Sequence, residues 1–439
     1  MTTQASTLER PAGEMQRVRP EDAQTLVDPR AHADGRIYEV FRRLRATSPV
    51  ALAEPEGFDP FWVVTRQEEI RKAMMSGGAF LSGFRSPALI SRAVTDHMRA
   101  MLGGHDSPVR TIVQMDSPDH EAYRAVAAGF FHARTLDRMA DGIRRIAREF
   151  VDRLLSFDGE CDFADEIAFY YPLRVVMQIM GVPVEDEALM LRLTQEYFGV
   201  EDAEFAPSEA AVQGSAEDKA RSMVATVDEF NDYFDRMMAD RRANPREDLV
   251  SVIANATIGG APMPVREARS YCFVAASAGH DTTSAVTAGG MDALCRHPGL
   301  LDEIRGDPDR IKAFVEEAIR FYPPSKMAMR TAAHDVELGG QRIAAGDWLA
   351  MAWSSGNRDE AVYPDPDVFR IDRKPNKLIS FGNGAHVCLG QHLARLEIRL
   401  FFEELADRVA HVELAGEATS VASLMNSGIK HLPIRFRAR

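Results

Sequence analysis

The 439 residues carry 52 Lys and Arg against 66 Asp and Glu, a net charge of −14, with 45% hydrophobic and 27% charged side chains. Such a composition supports a large packed interior and excludes a broad basic surface for nucleic acid or anionic lipid. The four cysteines, Cys161, Cys272, Cys295 and Cys388, form no CxxC pair, which argues against a zinc site or a disulfide framework and fits a reducing cytoplasm.

In chain order, the opening MTTQASTLERPAGEMQ is polar and lacks the basic-then-apolar order of a signal peptide or anchor. Residues 1–20 are therefore expected to be a flexible segment. No repeat and no Gly/Ser linker divides the remainder, so 21–439 reads as one domain. SPVALAE and FWVVT, between 50 and 65, read as two strands joined by the turn-rich EPEGFDP. Helical apolar periodicity covers 119–131, 136–157, 166–180, 186–198, 218–243, 266–297, 309–322 and 391–408. Between the fourth and fifth of these, FAPSEAAVQG (205–214) looks like a mobile connection with the makings of a lid. A second β region spans 327–354, punctuated by Gly339-Gly340 and Gly346-Asp347. The fold class is mainly α with small β sheets.

The helix at 266–297 is apolar or small nearly all round, as a buried central helix is. Its His280, Asp281 and Asp292 speak against a membrane span. In its middle stands AGHDTT, 278–283, where a glycine, an acid and two threonines all weaken helix. A functional kink is one explanation. The other is structural: Thr282 bonding back to the preceding turn while Asp281 reaches an arginine. His280 is expected to be a packing residue. The core is also the expected place for Cys161, Cys272 and Cys295.

Cys388 differs from them. FGNGAHVCLGQHLARLE, 381–397, sets it at the start of a helix, after Gly382 and Gly384, which let the backbone turn tightly and approach a flat ligand. Helix N–H groups favour a thiolate there, and an iron would complete the deprotonation. The segment resembles the haem-binding signature of the cytochrome P450 family, matching at Phe381, Gly382, Gly384, His386, Cys388 and Gly390. AGHDTT resembles the family's AGxDTT. Glu317 and Arg320, with Arg373, resemble its ExxR element and partner arginine, a fold-stabilising set. His120 and Arg124 in DHEAYR resemble its HxxxR, and Arg330 matches a third propionate-binding position. One departure is Leu378 in PNKLISFG, where many bacterial relatives have a histidine.

The resemblance implies the fold of that family, in its bacterial, ferredoxin-dependent class, with haem b lying between the central helix and the cysteine loop. Cys388 would be the axial iron ligand, shielded by Phe381, with Gly382 and Gly390 shaping the loop. His120, Arg124, Arg330 and His386 would hold the propionates. Gly279 would open space for O2, Thr282 would bond it, and Asp281 would feed protons from solvent. The implied reaction is insertion of one atom of O2. FDGECDF (157–163), YYPL (170–173), LTQEYFGV (193–200) and the ending LPIRF are similar to the α-terpineol-hydroxylating branch, which implies a monoterpenoid or alkyl-aromatic substrate. Substrate positions by the same correspondence are Phe198, Ala275, Gly279, Thr283, Ser325, Met327 and Met425; core packing is their alternative reading.

The chain has no flavin or NAD fingerprint. Electrons are thus expected from a [2Fe–2S] ferredoxin with an NAD(P)H-dependent reductase, docked on Arg134, Arg138, Arg145, Arg395 and Arg399. A peroxide-using hydroxylase and a non-catalytic haem sensor or carrier are the competing functions. No nucleic-acid or membrane partner is expected.

Overall fold

The computed structural model describes residues 15–426 and 428–439. Helices dominate, and the expected ones are present with small shifts at their ends. Ala133–Ser156 begins three residues early because His132 caps it, accepting from the Arg134 N–H. Likewise Ser215 forms a capping box with Asp218 at the start of Ala216–Ala243. The pattern at 166–180 resolves into a π-helical turn, Ala164–Ala168, followed by the helix Tyr170–Met180.

Five strands form the larger sheet. Val50–Ala53 pairs antiparallel with Phe61–Val64, which runs parallel to Trp348–Met351; Ala328–Ala332 and Phe80–Leu81 complete it. Both β regions read from the sequence contribute to this sheet, while Val336–Leu338 and Gln341–Ile343, around Gly339-Gly340, form a separate two-stranded one. A C-terminal sheet of Val409–Leu414, Pro433–Ala438 and Glu160–Asp162 was not anticipated. Its third strand, Glu160–Asp162, is short and far in sequence from its partner.

Two expectations need correction. The flexible segment assigned to residues 1–20 lies mostly outside the described residues, but its end is held: the Val18 N–H donates to Leu52 O at 2.9 Å, and Val18 is buried. The connection at 205–214 is not wholly irregular, since Ser208 caps a short helix, Glu209–Gln213, and Phe205 packs edge-on against Phe169.

The helix Val265–Arg296 crosses the middle of the molecule, packed against Tyr170–Met180 on one side and Gln391–Arg408 on another. It is continuous through AGHDTT. Thr282 Oγ1 donates to Ala278 O at 3.0 Å, and Ser277, Ser284 and Thr287 make the same bond one turn back. The weak helix formers thus satisfy their hydroxyls within the helix, and no break accompanies them. Among the described residues no helix is long and apolar enough to cross a membrane.

Candidate functional site

A cavity of about 420 Å³ lies between this central helix and the cysteine loop. Cys388 turns its accessible surface into it. The loop is fixed by its backbone: the Cys388 N–H donates to Phe381 O at 2.8 Å, and Gly382 and Gly384 adopt φ of 70° and 69°. A Cβ at Gly384 would sit 2.4 Å from Met74 O, so the glycine there answers to the helix Gln67–Met74 as well as to its positive φ. Gly390 is the N-cap of Gln391–Arg408, one residue before the helix proper.

The thiol is not poised to ionise by itself. Burial raises its pKa, while the Gly390 and Gln391 N–H groups, Arg124 and Arg395 pull it down without prevailing. The helix terminus expected to favour a thiolate is thus outweighed by desolvation from the protein around the cavity-facing thiol. Deprotonation therefore needs a bound cation's charge. Phe381 lies beside the loop with the Arg395 guanidinium 4.4 Å from its ring centre.

At the cavity's edge four basic side chains gather. Arg330 is almost wholly buried and, among the described residues, reaches no carboxylate and donates only to the adjacent Met329 O; burial lowers its pKa to about 10. His120 is buried with Nε2 unpartnered among the described residues, and its ring lies 4.1 Å from that of His386. Burial pushes both histidines down, His386 to about 4. Arg124 donates to Val387 O, and Ser82 Oγ meets His386 Nε2 at 3.2 Å. Unpaired buried donors are costly unless something anionic completes them. Together with a cavity-facing thiol, they fit a flat, dianionic, thiolate-ligated macrocycle.

Behind the loop, Glu317 and Arg320 are fully buried in a two-pronged pair, at 2.6 and 2.8 Å. Arg373 adds a bond to Glu317 at 3.0 Å, and Arg320 also donates to Asn357 O and Pro366 O. No part of this set faces the cavity. Leu378, in place of the histidine, packs on the main core.

On the far wall, Phe198, Ala275, Gly279, Thr283, Ser325, Met327 and Met425 all border the cavity, as does Thr282. Gly279 has a second role, because a Cβ there would lie 2.7 Å from Val176 Cγ2. It lets the central helix approach Tyr170–Met180 closely. Asp281 faces away from the main cavity into a smaller one. Its partner is Asn426, whose Nδ2 donates to Oδ2 at 3.2 Å, not an arginine. Burial pushes Asp281 up to about 6. His280 is a packing residue as expected, bonded through Nδ1 to Ala276 O.

Two residues had no sequence signal. Asn426 sits in an irregular C-terminal stretch with no motif. Glu397 belongs to the LARLE helix and reads as an amphipathic-face residue, yet it is buried against the cavity with Oε2 unpartnered among the described residues and its pKa held well above the usual range.

The sequence model of one family, Cytochrome P450, matches residues 86–408. Cytochrome P450-terp of a Pseudomonas species is 41% identical over 94% of this chain and 97% of its own length. Steroid C26-monooxygenase of Mycolicibacterium smegmatis is 31% identical over 94% and 95%. The crystal structure of CYP108D1 from Novosphingobium aromaticivorans superposes with a TM-score of 0.89 at 40% identity, covering 97% of this chain and all of that one. A thiol loop, an anion cradle and a central helix arranged as the sequence resemblance implies, together with these likenesses, place the chain in the cytochrome P450 family of haem-binding monooxygenases.

Proposed function

We propose that this chain hydroxylates a small apolar molecule, a monoterpenoid or alkyl-aromatic, with O2 and two electrons from a [2Fe–2S] ferredoxin served by an NAD(P)H-dependent reductase in the cytoplasm. The observation that carries the substrate reading is the far wall, where Phe198, Met327 and Met425 supply apolar surface beside the hydroxyls of Thr282 and Thr283 and the bonded pair Ser325 and Asn426. The likeness of the 157–163 and 193–200 segments to the α-terpineol-hydroxylating branch supports the same size class. Cys388 would hold the haem iron, while Arg124, Arg330, His120 and His386 would hold its propionates. Bound there, haem supplies the activation of O2 that inserts one oxygen atom into a C–H bond and sends the other to water.

This chain's own part is orientation and proton supply. Thr282 carries a hydroxyl on the cavity wall, bonded to Ala278 O until a better acceptor arrives. Asp281, with a pKa near 6, exchanges protons close to neutrality, as a general acid must. Thr282→Ala is expected to keep haem and substrate binding but consume NAD(P)H with little product and more released peroxide. Asp281→Asn is expected to slow turnover.

For electron delivery, Arg134, Arg138 and Arg145 are exposed along Ala133–Ser156. Arg395 and Arg399 are already paired with Glu316 and Glu403, so the docking reading narrows to the first three. Ferredoxin-driven reduction should weaken with salt, since exposed charges are screened over about 8 Å at physiological ionic strength. Salt-independent reduction, unchanged by Arg138→Glu, would reject this surface.

The test of the substrate reading is a visible-spectrum screen. Monoterpenoids and alkyl-benzenes should shift the iron toward high spin; a response confined to fatty acids or macrolides would reject it.

A further inference from the structure

The main cavity and the smaller one beside Asp281 share two wall residues, Phe198 and Asn426. Thr282 borders the first cavity and Asp281 the second. Of the two shared residues, only Asn426 has a side chain that can hydrogen-bond on both sides. It does so: its amide N–H donates to Asp281 Oδ2 at 3.2 Å, and its carbonyl accepts from Ser325 Oγ at 2.6 Å. The backbones of Ser325 and Asn426 form an antiparallel bridge. Two residues on, a Cβ at Gly428 would lie 2.5 Å from that of Ala285, so only glycine lets this stretch lie against the central helix.

We propose that Asn426 is a positioning residue that links the protonation state of Asp281 to the hydrogen-bond donor Ser325 presents at the substrate wall. The inference rests on the proton-supply reading of Asp281 given above. An ionised carboxylate only accepts, so the amide nitrogen must face it, and the Ser325 hydroxyl then donates to the amide carbonyl. A protonated Asp281 instead needs an acceptor. Turning the amide over presents its carbonyl to Asp281 and its NH2 to Ser325 Oγ, which frees the serine hydroxyl to donate into the main cavity. No covalent bond forms or breaks in the amide; the proton itself moves only between Asp281 and water of the smaller cavity.

The charged groups nearby leave this pair to itself. His280, the other ionisable side chain on the smaller cavity, is bonded to Ala276 O and held near 4 by burial. On the facing segments, Glu201 accepts from the Leu424 N–H, Asp202 pairs with Lys430, and Glu204 pairs with Lys430 and His431. Asp162 takes the other nitrogen of His431. Besides burial, Asn426 is the one group among the described residues that shifts Asp281, and it favours the ionised form.

The experiment follows the Asp281 carboxyl by infrared titration in the haem-loaded protein, assigned by its loss in Asp281→Asn, beside the solvent isotope effect and the product formed per NAD(P)H. Asn426→Ala should raise the carboxyl midpoint by about one unit, enlarge the isotope effect and lower the product yield severalfold. Ser325→Ala should leave the midpoint in place but lower the yield. Asn426→Gln, which keeps both amide groups, should restore part of each property. It carries the same comparison if the alanine variant loses the carbon monoxide band of its reduced form. An unchanged midpoint and isotope effect in Asn426→Ala, while Asp281→Asn still slows turnover, overturn the link and leave the Asp281 reading standing. Unchanged rate and isotope effect in Asp281→Asn overturn that reading and the link with it.

Discussion

On the cysteine side of the cavity one run of ten residues, 381–390, supplies the thiol, its glycine turns and the helix cap, and the Glu317 network behind it is fully buried. On the opposite side Phe198, Ala275, Ser325 and Met425 arrive from four distant stretches, joined by single polar bridges such as Ser325 with Asn426 and by pairs open to water such as Glu204 with His431. The first wall is over-determined and suits a permanent ligand. The second is held by separable bonds, which suits a wall that must accommodate different molecules. Loops with few buried bonds are where local opening concentrates.

The sharpest way to test the difference is to remove one acid from each wall. Glu317→Ala leaves Arg320 and Arg373 with uncompensated charges, Arg320 fully buried. The expected loss is about 3–5 kcal/mol in urea unfolding, with little haem-loaded protein recovered. A loss under about 1 kcal/mol would mean that the cysteine wall is no firmer than the other.

Asp281 gives a prediction with a pH signature. Its folded pKa, about 6, lies above its ordinary 3.8. The folded state therefore holds the proton more tightly, and stability from this group is present below pH 3.8 and lost as pH rises through 6. Asp281→Asn, neutral throughout, should be more stable than the parent at pH 7 by up to about 2–3 kcal/mol, with no gain at pH 4. Denaturant midpoints at the two pH values check this. An equal effect at both would show that the carboxyl is not buried as described.

Arg330 tests the anion cradle from the side of the ligand. Arg330→Ala should weaken haem binding about tenfold to hundredfold through loss of charge-assisted bonds. The haem-free protein should unfold no earlier, because the buried guanidinium has no acid partner among the described residues to lose. Haem transfer kinetics and haem-free unfolding measure the two halves.

The smallest effect belongs to His431, which bridges Asp162 and Glu204 and has its pKa raised, those two carboxylates outweighing the opposing desolvation. A raised histidine stabilises below its unfolded value near 6.5 and loses that contribution as pH rises through its folded one. Since it is more than a third exposed, His431→Gln should cost under about 1 kcal/mol at pH 5.5 and nothing measurable at pH 9. Thermal midpoints at both pH values read it out.

The same contrast governs what the sequence disclosed. Most of the long helices were legible because they bury one face with a 3.6-residue period, the central one because it is apolar or small nearly all round, and the cysteine loop because its glycines, histidine and cysteine lie within ten residues. The C-terminal sheet was not, because Pro433–Ala438 pairs with the three-residue Glu160–Asp162 some 270 residues away. Nor was Asn426, since nothing in VASLMNSGIK says that its amide meets Asp281 across 145 residues. Gly279 was legible as a special position but only half explained, because Val176 is what forbids a side chain there. The helix terminus beside Cys388 is a local feature and legible; the surrounding protein, which raises the thiol's pKa against it even though the thiol opens onto the cavity, is a property of the fold.

The most direct test of the proposed function supplies the haem-loaded protein with ferredoxin, ferredoxin reductase, NAD(P)H, 18O2 and a panel of monoterpenoids and alkyl-benzenes, then measures label in the products. The expected result is a hydroxylated product carrying one 18O atom, formed in step with NAD(P)H and nearly abolished in Thr282→Ala. Label drawn only from water, or NAD(P)H consumed to peroxide with every small apolar compound, would contradict it.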